Sequence, residues 1–279
     1  VNELLRRANA APVTFLCALA YVTVAVLTFA DTEPAIKLQN AGLMTPALVA
    51  SGESWRLLTH AFLHGGIVHL LFNLSALMWI GPMLEHSLGS VRFAVLYAVT
   101  AVGAGVAVCL WADPRQAVVG GSGALFGMMG AAVAMNMRGG RDLLSFLDFQ
   151  GPRQLLSLIA VNLVIGWLLP MVSNTAHIGG LLTGFLLTFF GFDPGRGPAT
   201  AFTRALRAGV AALFVSLCCW CLWPVTRWDW LLRAATTTAE PARQQLLFEA
   251  AQRSGLPAPG RPDPDQGTEP DPPPPRRGR

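Results

Sequence analysis

Six stretches of this chain run for about twenty residues or more without Asp, Glu, Lys or Arg: Pro12–Ala30, Leu57–Leu84, Phe93–Ala112, Gln116–Met137, Gln154–Phe192 and Ala208–Thr226. A helix needs about 20 apolar residues to cross roughly 30 Å of hydrocarbon, and it closes every backbone hydrogen bond within itself. Each stretch reaches that length. The fifth is long enough for two and must divide at Pro170–Thr175, where a proline and polar residues follow Leu168-Leu169. Seven spans are therefore predicted, in an all-α, polytopic membrane helical bundle. The first stretch is too long, and too poor in cleavage-site character, for a removed signal peptide, so a permanent helix is expected there.

Charge is distributed to match. Residues 1–226 hold 21 of the 36 charged side chains and residues 227–279 hold 15, so the first part reads as bilayer and the second as water. The last 25 residues contain nine Pro and four Gly, a composition that buries no core, and a largely disordered tail is expected. A short amphipathic helix is predicted at Arg243–Arg253. The net charge of +4 on so apolar a chain does not argue for nucleic acid. Cys17, Cys109, Cys218, Cys219 and Cys221 lie in apolar runs without a CxxC pair, which supports neither a disulfide framework nor a zinc site; apolar packing is expected.

Basic residues accumulate in cytoplasmic loops. With the N-terminus inside, nine arginines fall inside (6, 7, 92, 138, 141, 153, 196, 204 and 207), against Lys37, Arg56 and Arg115 outside. Spans 2, 4 and 6 then all begin at the outer face. The short loops and Arg-rich inner side suit a bacterial inner membrane.

Polar side chains within spans are costly, and here they cluster at those three beginnings. The second run opens with Trp55-Arg56, then His60, His64, His69 and Asn73; positions 69 and 73 share one helical face. The fourth opens with Gly120-Gly121-Ser122-Gly123, a serine at a helix N-terminus where unpaired amides and the helix dipole favour an anion. The sixth opens with Ala176-His177, and small residues recur at Ala176, Gly180 and Gly184, a face that admits close helix approach. A serine hydroxyl becomes nucleophilic when an imidazole takes its proton, and the oxyanion that forms needs preorganised donors. Ser122, His177, His69 and Asn73 are expected at similar depth and can fill these roles. No Asp or Glu lies inside these three spans, so a Ser-His dyad is predicted, with His177 oriented by packing, Phe126 being the candidate. The lipase elbow GxSxG is excluded, because position 124 is Ala and no strand precedes it.

Taken in this order, these motifs resemble the rhomboid intramembrane serine proteases over roughly residues 50–190. The resemblance implies a six-helix rhomboid core, with a seventh transmembrane helix appended at Ala208–Thr226. It implies Ser122 as nucleophile, His177 as general base, and His69, Asn73 and the Ser122 amide as the oxyanion hole. It also implies that Glu85 holds the inner helix ends together. Phe126 stands where some members carry Tyr.

Each feature alone has a plainer reading. A Gly-flanked membrane serine, or Gly180-x-x-x-Gly184, is ordinary helix packing, and Trp55-Arg56 suits an interfacial anchor, which is compatible with a fold role in loop 1. His60 and His64 have metal-ligand spacing but no accompanying carboxylate or thiol, so structural hydrogen bonds to loop 1 are expected of them instead. Cys218-Cys219-Trp220-Cys221 is expected to pack. The combination favours an intramembrane serine endopeptidase acting on transmembrane protein substrates in the lipid bilayer, without cofactor, metal or nucleic acid. The alternatives are a catalytically inactive rhomboid-like binder and, more remotely, a transporter, which would be expected to show charged spans or repeated halves. The expected organisation is 1–54 (first span and start of loop 1), 55–192 (catalytic core, spans 2–6), 193–226 (inner loop and seventh span) and 227–279 (polar tail). Oligomeric state is not legible.

Overall fold

The computed structural model describes residues 9–30, 32–113, 116–138, 150–168 and 172–191, with positions 201, 205, 208, 209, 212, 216 and 219. The chain is helical across these residues. Among them the only β-type pairing is an isolated antiparallel bridge between Met44 and Val118. The elements are α1 (Pro12–Thr28), α2 (Glu33–Gly42), α3 (Pro46–Ala50), α4 (Arg56–Thr59), a 3₁₀ turn (His60–Phe62), α5 (Ile67–Leu88), α6 (Ser90–Trp111), α7 (Ser122–Arg138), α8 (Gln150–Leu168), α9 (Asn174–Leu186) and a π-helical turn (Leu187–Gly191).

Helices α5 and α6 each have 22 residues, long and apolar enough to cross a membrane. Large apolar side chains stay exposed along α1 (Leu16, Leu19, Val26), α5 (Phe72, Trp79) and α8 (Val161, Val164, Trp167). That is the surface a bundle presents to lipid rather than to water. The main core lies between α1, α5, α6, α7 and α8, around Tyr21, Leu77, Phe93, Leu96 and Met128. A second cluster under loop 1 joins Met44, Leu57, Val102, Val108, Val118 and Ala176.

Small residues set the closest approaches. A methyl group at Gly180 or Gly184 would overlap the carbonyl oxygen of Gly123 or Gly127, so α9 lies backbone against backbone on α7.

The structure revises two predicted spans. Leu57–Leu84 is not one helix: α4 and the 3₁₀ turn end at Phe62, Leu63 is extended, and α5 starts at Ile67. The break falls at Gly65-Gly66, where Gly66 has φ +147°, a value side chains rarely adopt. His60 and His64 therefore do not share a helix with His69. Likewise the stretch from Gln116 is helical only from Ser122, and Val118 pairs with Met44 instead. The division of the fifth stretch falls where proline and polar residues place it, between α8 and α9.

Loop 1 contains α2, α3 and α4, which charge patterning did not reveal. Thr32 and Thr45 cap α2 and α3, accepting from Ala35 N–H (3.4 Å) and Leu48 N–H (3.3 Å), each with a proline in the first turn. The predicted seventh span lies outside the described residues except for positions 208, 209, 212, 216 and 219; so do the tail, the surface helix at 243–253, Cys218 and Cys221. Cys17 is buried in the core, as apolar packing requires, and Cys219 is exposed.

Candidate active site

Gly120 has φ +116°, which turns the extended segment after Val118 into the first turn of α7 and leaves Ser122 as its first residue. His177 is the fourth residue of α9, whose N-terminus is fixed by Ser173: its hydroxyl accepts from Ala176 N–H at 3.3 Å, and its carbonyl from His177 N–H at 3.1 Å. With α7 and α9 in backbone contact, His177 Nε2 lies 2.9 Å from Ser122 Oγ.

The imidazole is 4% exposed and stacks on Phe126, with ring centroids 4.1 Å apart and planes 7° from parallel. Its Nδ1 is buried and has no hydrogen-bond partner. The ring is thus oriented by a face contact and by Ser122, not by a carboxylate behind it. When Ser122 donates to Nε2, the neutral ring carries its proton on Nδ1.

His69 stands in the first turn of α5. Its Nδ1 accepts from Gly65 N–H at 3.3 Å, so the neutral ring carries its proton on Nε2. That edge faces Gly120: a methyl group there would lie 2.7 Å from Nε2 and 2.6 Å from Cε1. The donor edge of His69 therefore borders the turn bearing Ser122. Asn73 is buried one helical turn further along α5 and gives one amide hydrogen to the His69 carbonyl at 2.9 Å. An amide carries two such hydrogens, so the second is available to a ligand.

The remaining predicted residues build the frame. Trp55 Nε1 donates to the Ala41 carbonyl at 3.1 Å. Arg56, with no exposed surface, donates to Glu53 Oε2 (2.7 Å) and to the carbonyls of Asn40 (2.6 Å) and Leu43 (2.5 Å), the C-terminal end of α2. An anchor at the lipid interface does not describe this arrangement: both side chains are buried in the body of loop 1. His60 shares a hydrogen bond through Nδ1 with the Arg56 carbonyl (2.9 Å), and its own carbonyl accepts from Gly120 N–H (2.9 Å), coupling loop 1 to the serine turn.

His64 departs from expectation, because neither ring nitrogen has a hydrogen-bond partner. It is held instead by edge-on ring contacts with Tyr21 (4.7 Å) and His69 (5.4 Å). Gly123 lies against Ala104, where a methyl group would come within 2.6 Å of Cβ, and Ala176 is buried beside it.

Glu85, far along α5, accepts from Val13 N–H (3.0 Å), Thr14 N–H (2.8 Å) and the Thr14 hydroxyl (2.8 Å). It caps the N-terminus of α1, where unpaired amides favour a carboxylate. Reading the sequence alone missed Glu53, Thr14, Tyr21 and Tyr97. Of these, only Glu53 had a local signal, its i, i+3 spacing to Arg56. Among the described residues no group of three or more His, Cys, Asp or Glu is arranged to hold a metal.

A family model described as the Rhomboid domain matches residues 51–194. Among curated proteins, the chain is 37% identical over 158 residues to RHOMBOID-like protein 5 of Arabidopsis thaliana, covering 54% of this chain and 48% of that one. It is 40% identical over 146 residues to RHOMBOID-like protein 6, mitochondrial, of the same plant, covering 51% and 45%. It is 32% identical over 176 residues to Rhomboid protease GluP of Bacillus subtilis (strain 168), covering 63% and 33%. The chain spans less than half the length of each of these relatives.

Proposed function

The chain belongs to the rhomboid family of integral membrane proteins, whose members are intramembrane serine proteases or inactive rhomboid-like proteins, and from that premise we propose that this member is a protease. The observation that supports it is the 2.9 Å separation of Ser122 Oγ and His177 Nε2. An inactive binder needs neither group, still less the two in contact.

The reaction runs through a serine acyl-enzyme. Ser122 Oγ attacks the scissile carbonyl carbon while its proton passes to His177 Nε2. Negative charge gathers on the carbonyl oxygen, within reach of His69 Nε2–H, an Asn73 amide hydrogen and the Ser122 amide; each such donor is worth about 2.7–4 kcal/mol where measured. The intermediate collapses, the amine leaves with the proton from His177, and a water activated by the same imidazole releases the acid. Because no carboxylate among the described residues stands behind Nδ1 to stabilise the imidazolium, the pair depends on Phe126 stacking for its geometry.

The family acts on transmembrane substrates in the bilayer, and a helix shields its carbonyls by hydrogen bonding. Substrate segments with Gly, Pro or small residues near the outer membrane boundary, which unwind readily, are proposed as preferred. The relatives come from a plant, one of them named as mitochondrial, and from a bacterium; a bacterial inner membrane with the N-terminus cytoplasmic and the site opening outward is our proposal from loop charge. The four segments 1–54, 55–192, 193–226 and 227–279 are proposed as its organisation.

The test is a panel of purified single-span substrates incubated with wild type, Ser122→Ala and His177→Ala. Cleavage by wild type alone is expected. Wild type that binds substrates without cutting any of them would favour the inactive binder.

A further inference from the structure

None of the steps above uses α1, yet that helix places Tyr21 under the turn that presents Ser122. Tyr21 is fully buried. Its hydroxyl meets that of Tyr97 on α6 at 2.8 Å, and Tyr97 also donates to the Ala61 carbonyl at 3.4 Å. The ring is steadied edge-on by Phe62 at 6.1 Å and His64 at 4.7 Å.

What the hydroxyl touches is Gly121. A methyl group at position 121 would overlap Tyr21 Oη, reach 2.5 Å from Cζ and stand 3.2 Å from the Ala61 carbonyl oxygen. The two glycines before Ser122 thus answer to different neighbours. Gly120 is needed for its backbone angle and for the His69 ring, whereas Gly121 is needed because a phenol from another helix occupies the space of a side chain.

We propose that Tyr21 is a positioning residue for the reaction: its hydroxyl, held by Tyr97, is the surface on which Gly121 rests, and it sets where Ser122 Oγ stands relative to His177. The inference rests on the reading of Ser122 as nucleophile. A tyrosine suits the task, since a ring with two torsions loses little freedom on burial and its polar tip has a partner in Tyr97. Phenylalanine would leave the turn unsupported by one oxygen atom.

Loss of support and loss of stability are separable, because the two tyrosines share one hydrogen bond but the hydroxyl lying against Gly121 is that of Tyr21. The experiment measures the rate of Ser122 labelling by a fluorophosphonate probe, and the thermal unfolding midpoint, for the full chain in detergent. Tyr97→Phe is expected to lower the midpoint at least as far as Tyr21→Phe does. Tyr21→Phe is expected to label about tenfold slower than wild type, because the oxygen lying against Gly121 is gone, and Tyr97→Phe within about twofold of wild type, because that oxygen stays in place between the Phe62 and His64 rings. Labelling of Tyr21→Phe at the wild-type rate, or labelling that follows the midpoint in both variants, overturns the proposal.

A second comparison guards against misfolding of any one variant. Gly121→Ala is expected to label at least about 100-fold slower than wild type, a loss of roughly two decades in barrier terms. Adding Tyr21→Leu, which removes both overlapping atoms, is expected to bring the double variant within about tenfold of Tyr21→Leu alone. A double variant no faster than Gly121→Ala also overturns the proposal. Wild type that does not label, or labelling that persists in Ser122→Ala, sinks the nucleophile reading and this inference with it.

Discussion

Replacing Arg56 by leucine tests how loop 1 is held. The guanidinium has no exposed surface and serves three acceptors: the buried Glu53 carboxylate and the carbonyls of Asn40 and Leu43. Removing one partner of a buried ion pair costs about 3–5 kcal/mol, because the other charge is left in a poor dielectric. The two carbonyls add about 1–3 kcal/mol each if nothing replaces their donor, and partial relaxation brings the expected total to about 5 kcal/mol. Replacing Glu53 by leucine as well removes the stranded charge but not the stranded carbonyls, so the double variant should be about 2 kcal/mol more stable than Arg56→Leu. Equilibrium unfolding by a denaturing detergent, followed by tryptophan fluorescence, measures both. Activity should fall with stability in the single variant, since Leu43 leads into the Met44–Val118 bridge two residues before Gly120. A loss below about 1 kcal/mol for Arg56→Leu, or a double variant no better than the single, would refute the reasoning.

Gly180→Val should abolish probe labelling of Ser122, by about 100-fold or more, because its side chain would push the Gly123 carbonyl and separate α7 from α9. Phe126→Leu should lower kcat by about 3–10-fold with KM unchanged, the worth of an aromatic stack, while Phe126→Tyr stays near wild type; steady-state kinetics on one cleavable substrate decides. Glu85→Ala should lower stability by about 2–3 kcal/mol, since three donors at the start of α1 lose their acceptor. Labelling of its folded fraction should stay within about threefold of wild type, because Glu85 lies sixteen residues, about 24 Å, along α5 from His69.

The helical architecture and the family were legible because their signals are local or strictly ordered. Uncharged runs mark helices, Pro170 to Thr175 marks the division between α8 and α9, and the histidine series, the glycine-flanked serine and Ala176-His177 carry the family pattern. Hydropathy could not find the break at Gly65-Gly66, since a short apolar turn and the helix after it look alike when no charge separates them. The helices of loop 1 stay hidden for the opposite reason: they are short and irregular in polarity, and only the capping threonines followed by prolines betray them. Tyr21 had no local signal at all. Its meaning lies in Tyr97 and Gly121, contacts made across 76 and 100 residues of chain, and an apolar run with one phenol in it is unremarked in any membrane helix.

The interlock of α7 and α9 also limits how this protein can be switched. Gly180 and Gly184 sit over the carbonyls of Gly123 and Gly127, so both rails of the contact repeat every four residues. Such a pair behaves as a ratchet: a slide brings residues that carry a Cβ over the carbonyl oxygens, and the next register in which glycines face them lies four residues, about 6 Å, away, with serine and imidazole far out of reach. Gradual attenuation by shearing these two helices is therefore closed to it, and graded control has to act on what surrounds the pair while the pair itself stays engaged.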